Sequence, residues 1–173
     1  LPIFSALRNA NPTLVNFGGG ALSLGSGVLA RLDHNGAHLS SRTLFTPGLQ
    51  SSVTIHGLAA APGGEIFVHG IFHGDLSAAG TTITGSSTSP TGFLAKLDSN
   101  GTPVWLRGLG GTGQTWVTPH DLTATAAGGL VSVGVFTGTI DFGQGPTSAP
   151  ASERLAWIAR YDAAGTLQKV SFV

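Results

Sequence analysis

Cysteine and methionine are both absent from this 173-residue chain, and charged side chains make up only 9 % of it. Without cysteine there is no disulfide framework and no thiol nucleophile, and the redox compartment stays open. Eight basic residues offset eight acidic ones, so nothing in the charge balance favours nucleic acid or an anionic membrane surface as a partner. No apolar run approaches the roughly 18 residues that cross a bilayer, and no leader-type segment is visible. The G-x-S-x-G elbow of serine hydrolases is missing as well. What the chain has in quantity is glycine, 27 residues of it, and repetition.

The stretch GFLAKLDSNG at 92–101 returns as GVLARLDHNG at 27–36 and AWIARYDAAG at 156–165. VTIHGLAAAPGGEIFVHGIFHGDL (53–76) and VTPHDLTATAAGGLVSVGVFTGTI (117–140) align without a gap at an offset of 64, so that His56 meets His120, Gly70 meets Gly134 and Phe72 meets Phe136. VNFGGG (15–20) answers IDFGQG (140–145) at an offset of 125. A unit of about 64 residues thus recurs, and such a period marks stacked or radially arranged modules.

Within a unit the grammar is that of strands. GLVSVGVF alternates with a period of two and is rich in β-branched residues. Asp-x-x-Gly, between FLAKL and PVWLRGL, places an aspartate where it can bond its own backbone and a glycine where positive φ is needed, which predicts a hairpin turn. The spacing predicts four strands in the last unit (117–125, 129–142, 156–161 and 166–172) and four in the middle unit (53–60, 65–76, 93–98 and 103–108). The first unit holds three, near 1–17, 28–33 and 37–45. The expected division is 1–48 for a partial first unit, 49–112 for the second and 113–173 for the third. Four antiparallel strands per repeat with small or apolar faces predict an all-β chain of β-propeller-like blades, the first incomplete. Glycines 70 and 134 inside strands fit sheets approached closely from both sides.

The succession TGFLAKLDSNGTPVW, GLGGTGQTW and GGLVSVGVFTGTIDFGQG resembles the bacterial β-propeller repeat called SBBP, common in large secreted proteins of myxobacteria and their relatives, and the likeness covers almost the whole chain. It implies a propeller and an extracellular, cell-surface or periplasmic setting. It implies no catalytic residue.

Several motifs invite chemistry. Gly108-Leu-Gly110-Gly-Thr-Gly113 matches G-x-G-x-x-G, and Gly108 to Thr115 approaches a P-loop with Gln114 in place of the lysine. Such loops hold phosphate only where they open a helix, whereas WVTPHDLTAT reads as a strand. Asp33-His-Asn35-Gly and Asp98-Ser-Asn100-Gly look like the start of a calcium loop, but Asp162-Ala-Ala-Gly165 keeps the turn residues without the middle ligand, and a turn accounts for all three. His69 and His73, four apart on one strand, stand about 13 Å from each other, too far to share a zinc ion with bonds of about 2 Å. His56 and His120 repeat in register, as structural residues do. Asp141 belongs to the D-F-G ending of the repeat, and Glu65, Asp75, Asp121 and Glu153 are acids with no evident partner. Asn100-Gly-Thr102 fits the glycosylation pattern inside a hairpin turn. Of Trp105, Trp116 and Trp157, which could line a sugar pocket, Trp157 replaces Val28 and Phe93 at a strand position and reads as core.

No catalytic, metal or cofactor residue is therefore assigned, and no enzyme activity is expected. The expected role is a non-enzymatic module for protein interaction or assembly. The alternative is a carbohydrate-binding or hydrolase-accessory protein using the Ser/Thr/Gly/Pro-rich connections 77–91 and 143–155. Three units cannot close a ring of typically four to eight blades. The partners expected are further blades of a longer parent chain, a second copy, or subunits of a surface complex. The missing methionine and the start inside a repeat point to the first or last of these.

Overall fold

The computed structural model describes residues 14–49, 51–110, 115–150 and 153–173. Those residues form an all-β structure without α-helix, with one 3₁₀ turn at Leu24–Ser26. In the first unit β1 (Leu14–Asn16) and β2 (Ala21–Ser23) make a small ribbon, and β3 (Val28–Leu32) pairs with β4 (His38–Thr43). A short β5 (Thr46–Pro47) leads to the middle unit: β6 (Ser52–Ala60), β7 (Ile66–His73), β8 (Asp75–Ala78), β9 (Thr81–Thr84), β10 (Thr91–Leu97) and β11 (Pro103–Leu109). The last unit comprises β12 (Trp116–Ala124), β13 (Leu130–Thr137), β14 (Thr139–Asp141), β15 (Pro146–Ser148), β16 (Leu155–Tyr161) and β17 (Leu167–Phe172).

The middle and last units each build a four-stranded antiparallel meander, ordered β6-β7-β10-β11 and β12-β13-β16-β17. The strands expected at 65–76 and 129–142 are not continuous. Gly74 and Gly138, with φ of 70° and 71°, turn the chain out of the main sheet, and β8 and β14 begin a separate ribbon with β9 and β15. The connections 77–91 and 143–155 accordingly contain strands of their own. The ribbon of the middle unit takes β5 as a third strand against β8. The connections read as loop because strands of three or four residues that bury a single large side chain each, Leu76 in β8 and Ile140 in β14, are too short to show a period. In β8–β9 the turn is Ala79-Gly80, both at positive φ, as a two-residue I′ loop requires. The strand expected near 1–17 falls mostly on 1–13, outside the described residues. Its described end is β1, the counterpart of the ribbon strand β14 and not of a main-sheet strand.

The repeated turn residues have a common geometry. The Oδ1 of Asp98 accepts from the N–H of Asn100 and of Thr102 at 2.9 and 2.8 Å, and Gly101, at φ 80°, donates to the Asp98 carbonyl. Asp33 and Asp162 hold the same pairs of bonds. The VNFGGG/IDFGQG match is a second such device. Asn16 Oδ1 accepts from Gly18 and Gly20, and Asp141 Oδ1 from Gly143 and Gly145. Between these bonds Phe142 is turned inward, its ring centroid 5.5 Å from that of Trp157 and 6.0 Å from that of Phe136.

The middle sheet is covered on both faces. On β7 and β10, Ile66, Val68, Phe72, Phe93, Ala95 and Leu97 pack with Leu29, Leu44 and Phe45 of the first unit. The alternate residues Phe67 and Leu94 pack with Val117, Leu122 and Leu130 of the last unit. Every residue of β10 is buried, whereas β13 alternates buried Leu130, Ser132, Gly134 and Phe136 with half-buried Val131, Val133 and Val135. A strand buried on both faces needs no polar alternation, which accounts for FLAKL; in β13 the alternation does not mark inside and outside, since Ser132 and Gly134 are on the buried face and the valines on the half-buried one.

Candidate functional site: the junctions between units

Where one sheet meets the next, three kinds of contact are made; the cation and the apolar packing occur at both junctions, and the histidine contacts between the middle and last sheets. The first is a cation on the third strand of a unit reaching the turn of its neighbour. Arg31 Nη1 donates to the Ser99 carbonyl at 2.7 Å, and its counterpart Lys96 reaches the Ala163 carbonyl, the repeat-equivalent acceptor, at 3.5 Å. Lys96 also pairs with Glu65 at 3.3 Å and lies 5.6 Å from the Phe67 ring centroid, so its ammonium is shared. The Glu65 carboxyl is held below its ordinary range, first by a backbone N–H and then by Lys96. Arg42 reinforces the earlier junction through the Thr102 hydroxyl at 2.8 Å.

The second contact uses a bulge. Pairing of β6 with β7 slips between Ile55 and Gly57, and that of β12 with β13 between Pro119 and Asp121, so His56 and His120 are the extra residues. A bulge re-aims the side chain it carries. His56 Nδ1 donates to the Pro119 carbonyl at 2.7 Å, joining the middle sheet to the last. Proline is tolerated at this edge position because the ladder asks nothing of its missing N–H.

The third contact is apolar and encloses a histidine. His69, on the β7 face covered by the last unit, is fully buried, and neither ring nitrogen has a hydrogen-bond partner. Burial, with the nearby His56 next in importance, lowers its pKa from 6.5 to about 4; Asp121 opposes this weakly. The ring is therefore neutral at pH 7. Gly57 makes the room, since a Cβ there would stand 2.8 Å from His69 Nε2. The His56 and His69 rings meet edge to face at 6.5 Å.

The remaining candidates take structural places. No group of three or more His, Asp or Glu side chains among the described residues is arranged to hold a metal ion. His73 faces the Ser52 hydroxyl at 3.4 Å. Asp98, with a pKa lowered chiefly by the Thr102 N–H, spends its Oδ1 on the turn, as do Asp33 and Asp162. Of the four unrepeated acids, Asp75 and Asp121 lie on different strands and Glu65 and Glu153 on connections. Glu65 is on Lys96, Asp75 opens β8, Asp121 accepts from the Leu122 N–H at 2.8 Å, and Glu153 follows the 143–150 segment. Gly108 belongs to β11, residues 111–114 lie outside the described residues, and β12, a strand, follows them. Trp157 is core. Trp105 packs against Phe67 and donates to the Ala163 carbonyl at 3.2 Å. Trp116 is 56 % exposed, its Nε1 donating to the Thr118 hydroxyl. Burial raises the pKa of the Tyr161 phenol. No helix among the described residues is long and apolar enough to cross a membrane.

Comparison with known protein-family models and with curated proteins finds no match. The junction contacts were the part of the site that sequence reasoning did not find. Their signal was present as the basic residue recurring at 31, 96 and 160.

Proposed function

We propose that the chain is a segment of a β-propeller whose sheets are its blades, and that it works as a non-enzymatic module for protein interaction or assembly in an extracellular, cell-surface or periplasmic setting. The observation that carries this reading is the middle sheet, enclosed between neighbours on both faces, with the same cation-to-turn bond at each junction. Asp33, Asp98 and Asp162 serve turns, and His56 and Lys96, the latter paired with Glu65, serve the junctions, a distribution that suits a scaffold. The SBBP resemblance supplies the setting. The test is the native size of the protein in the envelope and secreted fractions of its source cells. Migration within an assembly much larger than one chain supports the proposal. A free single chain confined to the cytosol would overturn it.

A second reading, carbohydrate binding, rests on Trp116, an exposed indole beside a polar hydroxyl on β12. Tryptophan offers a flat apolar face with a polar tip, which suits a sugar ring. A glycan array decides between the two: sugar binding that disappears in Trp116→Ala favours the second, and uniform absence of binding the first.

A further inference from the structure

The last sheet carries an unoccupied copy of the junction. Leu29 is buried against the middle unit and its counterpart Leu94 against the last, each in a core cluster. The third member of the series, Ile158, is 49 % exposed. Val131 and Val133 stand where Phe67 and His69 stand in the middle sheet, yet they are half-buried where those two are fully buried. Arg160 follows Arg31 and Lys96, and its guanidinium makes no hydrogen bond or ion pair among the described residues. His120 follows His56, and neither of its ring nitrogens has a hydrogen-bond partner there.

We infer that this face, Val131, Val133, Val135 and Ile158 flanked by Arg160 and His120, docks a further unit of the same repeat. The incoming unit presents a bulged first strand, whose carbonyl accepts from His120, and an Asp-x-x-Gly turn, whose carbonyl accepts from Arg160. The inference rests on the reading of the chain as an interaction module, and names its surface and the chemistry of its partner. The occupant follows from continuity with the existing junctions: the cation and the leucine stand in the same register at both, Arg31 with Leu29 and Lys96 with Leu94, and the histidine bulge joins the middle sheet to the last. A second copy of this chain fits less well. Among the described residues its bulged first strands are β6 and β12, and both are already seated, through Ile55 against the core of the first unit and through Val117 and Leu122 against the middle sheet.

The absence of cysteine makes a clean test available. Ile158→Cys gives a single thiol, whose reaction with a maleimide is timed in the 173-residue chain and in a chain extended after Val173 by a second copy of residues 110–173, which continues the 64-residue register. The expected result is a thiol that reacts at least tenfold more slowly in the extended chain, with part of the protection lost in Arg160→Ala. Leu94→Cys should be slow and Leu39→Cys fast in both chains. Equal rates for Ile158→Cys in the two chains overturn the inference. So does an added unit that stays unfolded by circular dichroism, because this face would have failed to template it. Protection of the thiol in the unextended chain that grows with protein concentration and accompanies a sedimenting dimer assigns the face to a second copy, and also overturns it. None of these outcomes depends on where the protein resides in the cell, so this inference and the functional proposal fail separately.

Discussion

His69 sets the pH response of the molecule at the residue scale. Its folded pKa of about 4 lies below the 6.5 of an exposed histidine, so below pH 6.5 the unfolded chain takes up a proton that the folded chain refuses. Stability from this group is complete above about pH 6.5 and declines as pH falls towards 4, by on the order of 2 kcal/mol between pH 7 and pH 5. Urea unfolding at the two pH values measures it. His69→Leu should flatten this dependence, because a neutral side chain of similar size has no proton to bind; an unchanged slope in that variant would place the effect on another group. A second residue-scale expectation separates two glycines of nearly the same φ, Gly36 and Gly101. Gly36, at 82°, has open space where a Cβ would stand, whereas at Gly101 the Cβ would be 2.6 Å from Leu29 Cδ2. Gly36→Ala should cost about 1 kcal/mol, the left-handed penalty alone. Gly101→Ala should cost more, since it also pushes on a neighbouring unit. Thermal melts of the two variants give the comparison. Adding calcium should leave the melting temperature of the parent chain unchanged, because the Oδ1 of Asp33, Asp98 and Asp162 is committed to turn amides.

At the scale of elements, Gly70 and Gly134 show why a strand in this fold needs a residue without a side chain. A Cβ on Gly70 would run into the Thr54 carbonyl and the Phe93 ring, and one on Gly134 into the Thr118 carbonyl and the Trp157 ring. Both sit opposite the residue just before the bulge, at Ile55 and Pro119. Gly70→Ala and Gly134→Ala should each destabilise by about 1–3 kcal/mol, the usual penalty of overpacking, measurable as a shift in the urea midpoint. The main strands were legible because period-two alternation and Asp-x-x-Gly turns are local properties of the sequence. The ribbons were not. Gly74 and Gly138 redirect the chain through positive φ, and in a sequence such a glycine is indistinguishable from the strand glycines four residues earlier. The junction was legible only in part. His56 and His120 were seen to repeat, but the Pro119 carbonyl that His56 bonds is a backbone atom on another unit, and nothing in residue identity announces it. The burial of His69 was likewise hidden, since it depends on what covers the β7 face.

At the scale of the whole molecule, equivalent residues in successive units should respond differently to the same change. Leu94 is fully buried between sheets, and Ile158, its counterpart, is half exposed. Leu94→Ala should cost about 2–5 kcal/mol, as for other large-to-small core substitutions, while Ile158→Ala should remain near the roughly 0.5 kcal/mol typical of surface changes. Chemical unfolding of the two variants checks the pair. Equal losses would mean that the last sheet has its outer face covered in the isolated chain.

The meander order of the two main sheets has a kinetic consequence. Every ladder in them joins strands that are neighbours in sequence, apart from the step from β7 to β10 and from β13 to β16, across which a ribbon is inserted. Loop-closure entropy rises only slowly with the length of such an insertion, so the ribbon adds little to the barrier. A main sheet can therefore be assembled from hairpins with low contact order, which places it toward the faster end of the millisecond-to-second range of all-β folding. The same arrangement lets ribbons change in length, as the turns of β8–β9 and β14–β15 already do, without disturbing the register of the strands they interrupt.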